Sequence, residues 1–348
     1  MLRIAVDAMG GDRAPEEIVK GAALASLQRD DVEIILCGDT AAIGKVLSDT
    51  RHDAERLQIH HASQAIRMDD RAPEALAARP DASITVAVRL VAQGEADALV
   101  TAGNTGAAVL LAERLWKPLA GVQHPALAAV YPTEIRRGAK DDPFALILDV
   151  GAGADATPEE LVVFGLMGAA WAARISRNPR PRVALLSSGA EIGRGPRDVA
   201  AAHDLFLSHT GLNFIGAIEA IDIQRGIADV VVCSGYVGNL FMKMLDAIPE
   251  TILGLARYAS KEKLLWRAVL GLIQSGVTRI KQLTDWQEYG GAPLLGYDHV
   301  CVKAHRRSGA RAIANAIKVC AVAAPPGLLR DMHGKIAEFR TKRSQLAS

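Results

Sequence analysis

The stretch Leu2 to Asp12 is the first place where residue types and spacing could do chemistry: an apolar strand stops in a carboxylate, two glycines and a second carboxylate. Glycine lets a ligand approach the backbone, and the free N–H groups of a helix start beyond it attract an anion. The turn Asp7–Asp12 fits that description, with Pro15 near the first position of the helix that follows. Thr101–Gly106, Asp149–Asp155, Ser187–Gly189 and Ser234–Asn239 share the pattern. Any one of them is ordinary strand-to-helix punctuation, whereas five together point to phosphate or carboxylate binding.

Within these turns Gly10, Gly11, Asn104, Thr105 and Gly106 are candidates to hold phosphate or the oxygen of a tetrahedral intermediate, although an Asn-Thr pair serves equally as a helix cap. Asp7 and Asp12 suit the orientation of lysine or backbone groups better than direct contact with phosphate, because like charges repel. Asp149, Gly151, Gly189, Gly238 and Asn239 are substrate-binding candidates from the other turns, and Gly290 and Gly291 from a further glycine pair. Lys243 lies one helical turn beyond Asn239 and either reaches back to the phosphate or is a solvated surface lysine. His305 follows the strand Val300–Lys303, where an imidazole is either structural or a proton donor to a leaving group.

Three apparent motifs fail on counting. Gly38–Val46 resembles a P-loop, but its first glycine is one residue too far away and Val46 replaces the hydroxyl. Gly151–Ala152–Gly153 begins a dinucleotide fingerprint, but Leu161 to Ala190 contains no carboxylate for a ribose. His60 and His61 would point to opposite faces of a strand, so they cannot share a metal as neighbours, and one is expected to be exposed. No cofactor, metal or nucleotide is required.

The elements that must position these residues are short apolar runs at Arg3–Val6, Val32–Cys37, Ala98–Val100, Phe144–Val150, Val183–Leu186, Phe214–Ile218, Val230–Cys233 and Val300–Val302. Helical stretches separate them, which predicts an α/β fold with a mostly parallel sheet covered by helices on both faces. Ligands of such a sheet bind at the carboxyl ends of its strands, so the five turns are expected on one rim. The chain of 348 residues reads as one α/β unit over 1–348, with two interleaved lobes divided near residue 150 as the alternative.

Half the residues are hydrophobic and only 4% aromatic, the mix of buried strands and packed helices. Forty basic residues against thirty-nine acidic ones give a net charge of +1 and no global field for nucleic acid. Cys37, Cys233, Cys301 and Cys320 are far apart and read as buried thiols in a reducing cytoplasm. The longest apolar stretch, near Leu161 to Ala173, falls short of a bilayer span, and no secretory leader is recognisable. From Lys261 to Leu283, Leu265, Val269, Leu272, Ile273, Gly276, Ile280 and Leu283 share one helical face, opposite Lys263, Arg267, Gln274, Thr278 and Lys281. A core or dimer helix, or a helical hairpin with an apolar tip, would use that pattern.

Six strings in order, Val6–Asp12, Thr101–Gly106, Leu148–Asp155, Ala228–Cys233, Tyr236–Asn239 and Glu288–Gly296, resemble the acyl-ACP:phosphate acyltransferase (PlsX) family from residue 1 to about residue 320. The resemblance implies a fold like phosphotransacetylase and isocitrate dehydrogenase with a protruding helical hairpin at 250–285. It also implies a homodimer that transfers a fatty acyl group from acyl carrier protein to inorganic phosphate, yielding acyl phosphate for phospholipid synthesis. The hairpin would meet the membrane and the acidic carrier, which places the protein in the cytoplasm with peripheral contact at the inner membrane face. The chain departs from the family pattern at Ser187–Glu191 and Arg194–Gly195, at Ser234 in place of aspartate, and at His305–Ser308, where His-Gly-Ser-Ser is usual. An acyl-coenzyme A phosphotransacylase and a catalytically weakened, membrane-associated scaffold are the alternatives. A β-decarboxylating dehydrogenase is disfavoured by the incomplete fingerprint.

Overall fold

The computed structural model describes residues 1–137, 142–189, 196–262 and 290–347. Its strands are β1 (Leu2–Asp7), β2 (Val32–Gly38), β3 (Leu57–His61), β4 (Ala98–Thr101), β5 (Ala126–Arg137), β6 (Asp142–Leu148), β7 (Arg182–Leu186), β8 (Asn213–Ile218), β9 (Val230–Val232), β10 (Ala292–Leu295) and β11 (Val300–Lys303). Between them run α1 (Glu16–Gln28), α2 (Thr40–Ser48), α3 (Ala72–Ala78), α4 (Ser83–Ala92), α5 (Thr105–Leu115), α6 (Pro158–Ile175), α7 (Arg197–His209), α8 (Ala220–Gln224), α9 (Gly235–Glu262), α10 (Ala310–Ala323) and α11 (Gly327–Ala347). The strands form one sheet in the order β3-β2-β1-β4-β11-β10-β5-β6-β9-β7-β8.

The mostly parallel α/β sheet is present, with helices on both faces. One face is packed by apolar residues of α1, α2, α6, α7, α10 and α11, around Ile4, Val6, Leu148, Val183 and Val302. On the other face α3, α4 and α5 cover Ala5, Leu99 and Cys301, while α8 and α9 cover Ile147, Ala184 and Val231. The burial alternates along β1, Ile4 and Val6 to one side and Ala5 to the other, as a strand covered on both faces requires. Helix α6 runs almost wholly buried from a reciprocal cap in which Thr157 bonds the Glu160 N–H and the Glu160 carboxylate bonds the Thr157 N–H.

The expected single rim is corrected by the strand directions. β3, β2, β1, β4 and β11 run parallel. β10 is antiparallel to β11, β5 antiparallel to β10, and β6 antiparallel to β5. β6, β9, β7 and β8 then run parallel to one another, opposite in direction to β1. The turns after β1, β4 and β11 therefore lie at one edge of the ladder, and those after β6, β7 and β9 at the other. We refer to these as the first and second edges. β3 closes the sheet, so both His60 and His61 are exposed, where one alone was expected to be.

The hairpin expected at 250–285 is described only to Glu262, within α9; residues 263–289 lie outside the described residues. Tyr236, Leu240, Met244, Ile248, Ile252, Leu255 and Tyr258 recur along α9 at helical spacing and are exposed. Among the described residues no single helix is long and apolar enough to cross a membrane. All four cysteines are buried free thiols.

Candidate functional site

At the first edge a polar row closes four adjacent strands. The register aligns Cys37, Asp7, Thr101 and Lys303 on β2, β1, β4 and β11, so their side chains share the face covered by α4 and α5. Asp7 is 1% exposed. Its carboxylate accepts hydrogen bonds from the Ser83 hydroxyl at the start of α4 (2.5 Å) and the Thr101 hydroxyl (2.8 Å). Burial raises the Asp7 pKa, against the pull of Ser83, Thr101, the Met9 N–H and Lys303. Lys303, 8% exposed, donates from Nζ to the Ala304 carbonyl (2.7 Å). Burial lowers its pKa to about 8, only partly offset by the negative charges nearby.

The Asp7 carboxylate is the floor beneath two glycine turns. A Cβ on Gly10 would stand 2.2 Å from Asp7 Oδ2, and one on Gly103 would stand 2.8 Å from the same oxygen. Gly11 adopts φ +106° with Ala102 and the Arg306 carbonyl close by, so glycine is required there. Asp12 binds the Arg306 guanidinium through both oxygens (2.7 and 2.9 Å), and its N–H donates to the Arg306 carbonyl (2.8 Å). Hydrogen bonding from the Arg306 guanidinium, more than its added Coulombic attraction, lowers the Asp12 pKa.

Asn104 serves as the cap that its residue type allowed. Its Oδ1 accepts the Ala107 N–H (3.1 Å), while its amide donates to the Arg67 and Asp70 carbonyls (3.2 and 3.0 Å). Thr105 and Gly106 form the first turn of α5, where N–H groups have no preceding helical carbonyl. His305 is exposed just beyond Lys303, and its Nδ1 faces the Arg307 N–H (3.2 Å), which places the proton of the neutral ring on Nε2. Gly290 packs against Asn315 and Ala316 of α10, and Gly291 against the Lys303 carbonyl.

At the second edge Asp149 is also 1% exposed. It accepts the N–H groups of Leu127 (2.8 Å), Gly151 (3.0 Å), Ala152 (3.0 Å) and Gly153 (2.8 Å). Burial raises its pKa while these four donors pull it back. The donors of the Gly151–Gly153 turn are thus taken by the protein's own carboxylate. Gly151, at φ +125°, leaves room for half-buried Asn239. Gly235 and Gly238 lie one turn apart at the start of α9, and a Cβ on them would fall 2.1 Å from the Gly153 carbonyl and 1.9 Å from the Asp149 carbonyl. Lys243 is exposed a turn further along α9. Gly189 follows β7 with open space around it.

The candidates therefore fall into two groups: Asp7, Gly10, Gly11, Asp12, Asn104, Thr105, Gly106, Gly290, Gly291 and His305 at the first edge, with Asp149, Gly151, Gly189, Gly238, Asn239 and Lys243 at the second. Ser83, Gly235 and Lys303 were missed. Only Lys303 carried a signal, as a charge ending an otherwise apolar strand level with Asp7 and Thr101.

The family described as fatty acid synthesis protein matches residues 2–327. The chain belongs to that family. Relatives of this chain include the phosphate acyltransferase of Moorella thermoacetica, 40% identical over 99% of both chains. The phosphate acyltransferase of Desulfitobacterium hafniense is 39% identical over 97% of this chain and 98% of its own. Among solved structures, a phosphotransacetylase from Streptococcus pyogenes superposes with a TM-score of 0.59 at 17% identity, over 93% of this chain and 94% of its own. A branched-chain phosphotransacylase from Enterococcus faecalis gives 0.54 at 16% identity, over 93% and 98%. These two likenesses establish a shared fold. In this family member the glycine turns of both edges fall inside the matched residues.

Proposed function

We propose that the protein transfers a fatty acyl group from the thioester of acyl carrier protein to inorganic phosphate, releasing acyl phosphate and the carrier thiol. The observation that carries this reading is the match at 39–40% identity, along nearly the whole chain, to relatives named phosphate acyltransferase. The fold neighbours contribute only the architecture.

Phosphate near neutral pH is already an anion, with a second ionisation close to the ~6 of a phosphoester, so it attacks a thioester carbonyl without a strong base. The protein's task is positioning, which can remove about 7–11 kcal/mol of barrier. We place the phosphate at the first edge, against the N–H groups of Gly11, Thr105 and Gly106, because the equivalent donors at the second edge already hold Asp149. One phosphate oxygen bonds the carbonyl carbon, and the carbonyl oxygen takes the negative charge. Each well-aimed donor to that oxygen is worth roughly 3–4 kcal/mol. Collapse breaks the C–S bond; His305, with its proton on Nε2, hydrogen-bonds the departing thiolate, which takes up the proton released by the attacking hydrogen phosphate.

Lys243 and Asn239 stand at the second edge, so they join this site only if α9 reaches across the sheet face. A loss of ~10² or more in Lys243→Ala, with unchanged melting, would join the two edges in one site. Wild-type turnover would leave the phosphate to the first edge. The exposed apolar line from Tyr236 to Tyr258 supports a homodimer, with peripheral contact at the inner membrane face through 250–285.

The decisive assay follows thiol release from long-chain acyl carrier protein with and without phosphate, beside the same acyl-coenzyme A. Phosphate-dependent release, faster with the carrier protein, is the expected result. Release that ignores phosphate would reject the transfer, and release from coenzyme A alone would reject the carrier.

A further inference from the structure

The floor of the first edge poses an electrostatic problem for any anion seated there. Asp7 Oδ2 lies so close under Gly10 and Gly103 that neither could carry a Cβ without collision. A carboxylate buried beneath the turns that would face a phosphate repels it when ionised, with little water to screen the repulsion. Ser83 and Thr101 stabilise that charge by hydrogen bonding but do not cancel it. Arg306 is committed to Asp12 through both carboxylate oxygens. Lys303 stands in the same row as Asp7, two strands away, at a Cα separation of about 10 Å. Its bond to the Ala304 carbonyl engages one of the three donors of an ammonium.

We propose that Lys303 is a positioning residue whose buried ammonium cancels the charge of Asp7, so that phosphate can be seated against the Gly10–Gly11 and Gly103–Gly106 turns. This rests on the phosphate-transfer reading above and names the residue that makes its anion site habitable. Lys303 touches neither phosphate nor thioester and acts through Asp7.

The arrangement is sensitive to pH. Burial brings the Lys303 pKa to about 8; Cys301, Asp7 and Asp12 act to raise it and Arg306 to lower it. Burial holds the Cys301 thiol at about 12 and hydrogen bonding holds Asp12 low, so neither titrates with Lys303. Above the Lys303 pKa the ammonium is lost, Asp7 stands uncompensated, and the KM for phosphate climbs while phosphate keeps a constant charge.

The test measures kcat and the KM for inorganic phosphate with saturating long-chain acyl carrier protein. Lys303→Met should raise the KM about tenfold or more with a smaller change in kcat, and adding Asp7→Asn should return it to within about threefold of wild type. A purely structural lysine would not be rescued by removing a distant charge. In the wild type the KM should climb as pH passes 8, and in Lys303→Arg that climb should vanish below about pH 10, because guanidinium stays charged. An unchanged KM in Lys303→Met, no rescue by Asp7→Asn, or a flat wild-type profile would overturn the proposal. If Lys303→Met does not fold, the wild-type and Lys303→Arg profiles decide. A wild-type protein with no phosphate-dependent release would instead reject the functional reading, and this proposal with it.

Discussion

Asp7 and Asp149 sit in equivalent places, each at or just past the end of a strand and each 1% exposed, yet the sheet treats them differently. Asp149 is held by four backbone N–H groups, whose dipoles are fixed and do not titrate. Asp7 is held by two hydroxyls and a single backbone N–H, that of Met9, and stands in a row with a buried lysine, so its balance depends on a neighbour that can lose its charge. The lesson is that a turn rich in glycine is not by itself a vacant anion site. At the second edge the protein's own carboxylate occupies the donors, whereas at the first the carboxylate lies below the turns: Gly10 and Gly103 turn their N–H groups to the Asp7 carbonyl and the Thr101 hydroxyl, and those of Gly11, Thr105 and Gly106 are left to a ligand.

The comparison can be broken most severely at the second edge. Gly238→Ala drives a Cβ to 1.9 Å from the Asp149 carbonyl and should cost at least about 4 kcal/mol or prevent folding. Gly189→Ala, in open space, should stay within about 0.5 kcal/mol, and thermal melts of the two variants compare them directly. Next, Asp149→Ala strands four buried donors and should lose about 3–5 kcal/mol, whereas Asp7→Ala, whose hydroxyl partners can turn elsewhere, should lose about 1–3 kcal/mol. Equal losses in urea titrations would erase the distinction between backbone and side-chain support.

A pH series sharpens the contrast further. The folded Lys303 pKa lies near 8 and the ordinary lysine value is 10.5, so between these the unfolded chain binds the extra proton and stability rises with pH. Subtracting the unfolding free energy of Lys303→Met from that of the wild type should isolate a rise of about 2–3 kcal/mol across that window. No rise would mean that the ammonium is not buried as described. The smallest effect belongs to Arg306→Ala: its pair with Asp12 is half exposed and should contribute under ~1 kcal/mol, less in high salt, as melts at two ionic strengths would show.

Much of this architecture was legible in the sequence. β1, β2, β4, β7, β8 and β11 follow from β-branched runs, and the ordered glycine strings led to the family. What escaped were β5 and β10, the two strands that set the sheet's direction change. β5 opens on alanines and contains Pro132, and β10 is four residues long, contains Pro293 and follows two glycines, so neither displays a strand's usual composition. Without them every turn appeared to share one rim. Lys303 was overlooked because a lysine after three apolar residues resembles a strand's solvated end, and only the register reveals it beside Thr101. Gly235 could not be singled out, since its need for a bare Cα arises from the Gly153 carbonyl, eighty-two residues earlier in the chain.

The order β4-β11-β10-β5 has a further consequence for how the molecule is made. The second edge is built from residues 126–262, a continuous stretch that emerges from the ribosome together. The first edge must wait for β11, whose residues 300–303 slot beside a strand translated two hundred residues before. During synthesis one flank of β4 stays unpaired over that interval, a bare ladder that a nascent chain must shield from its neighbours until its late strand arrives.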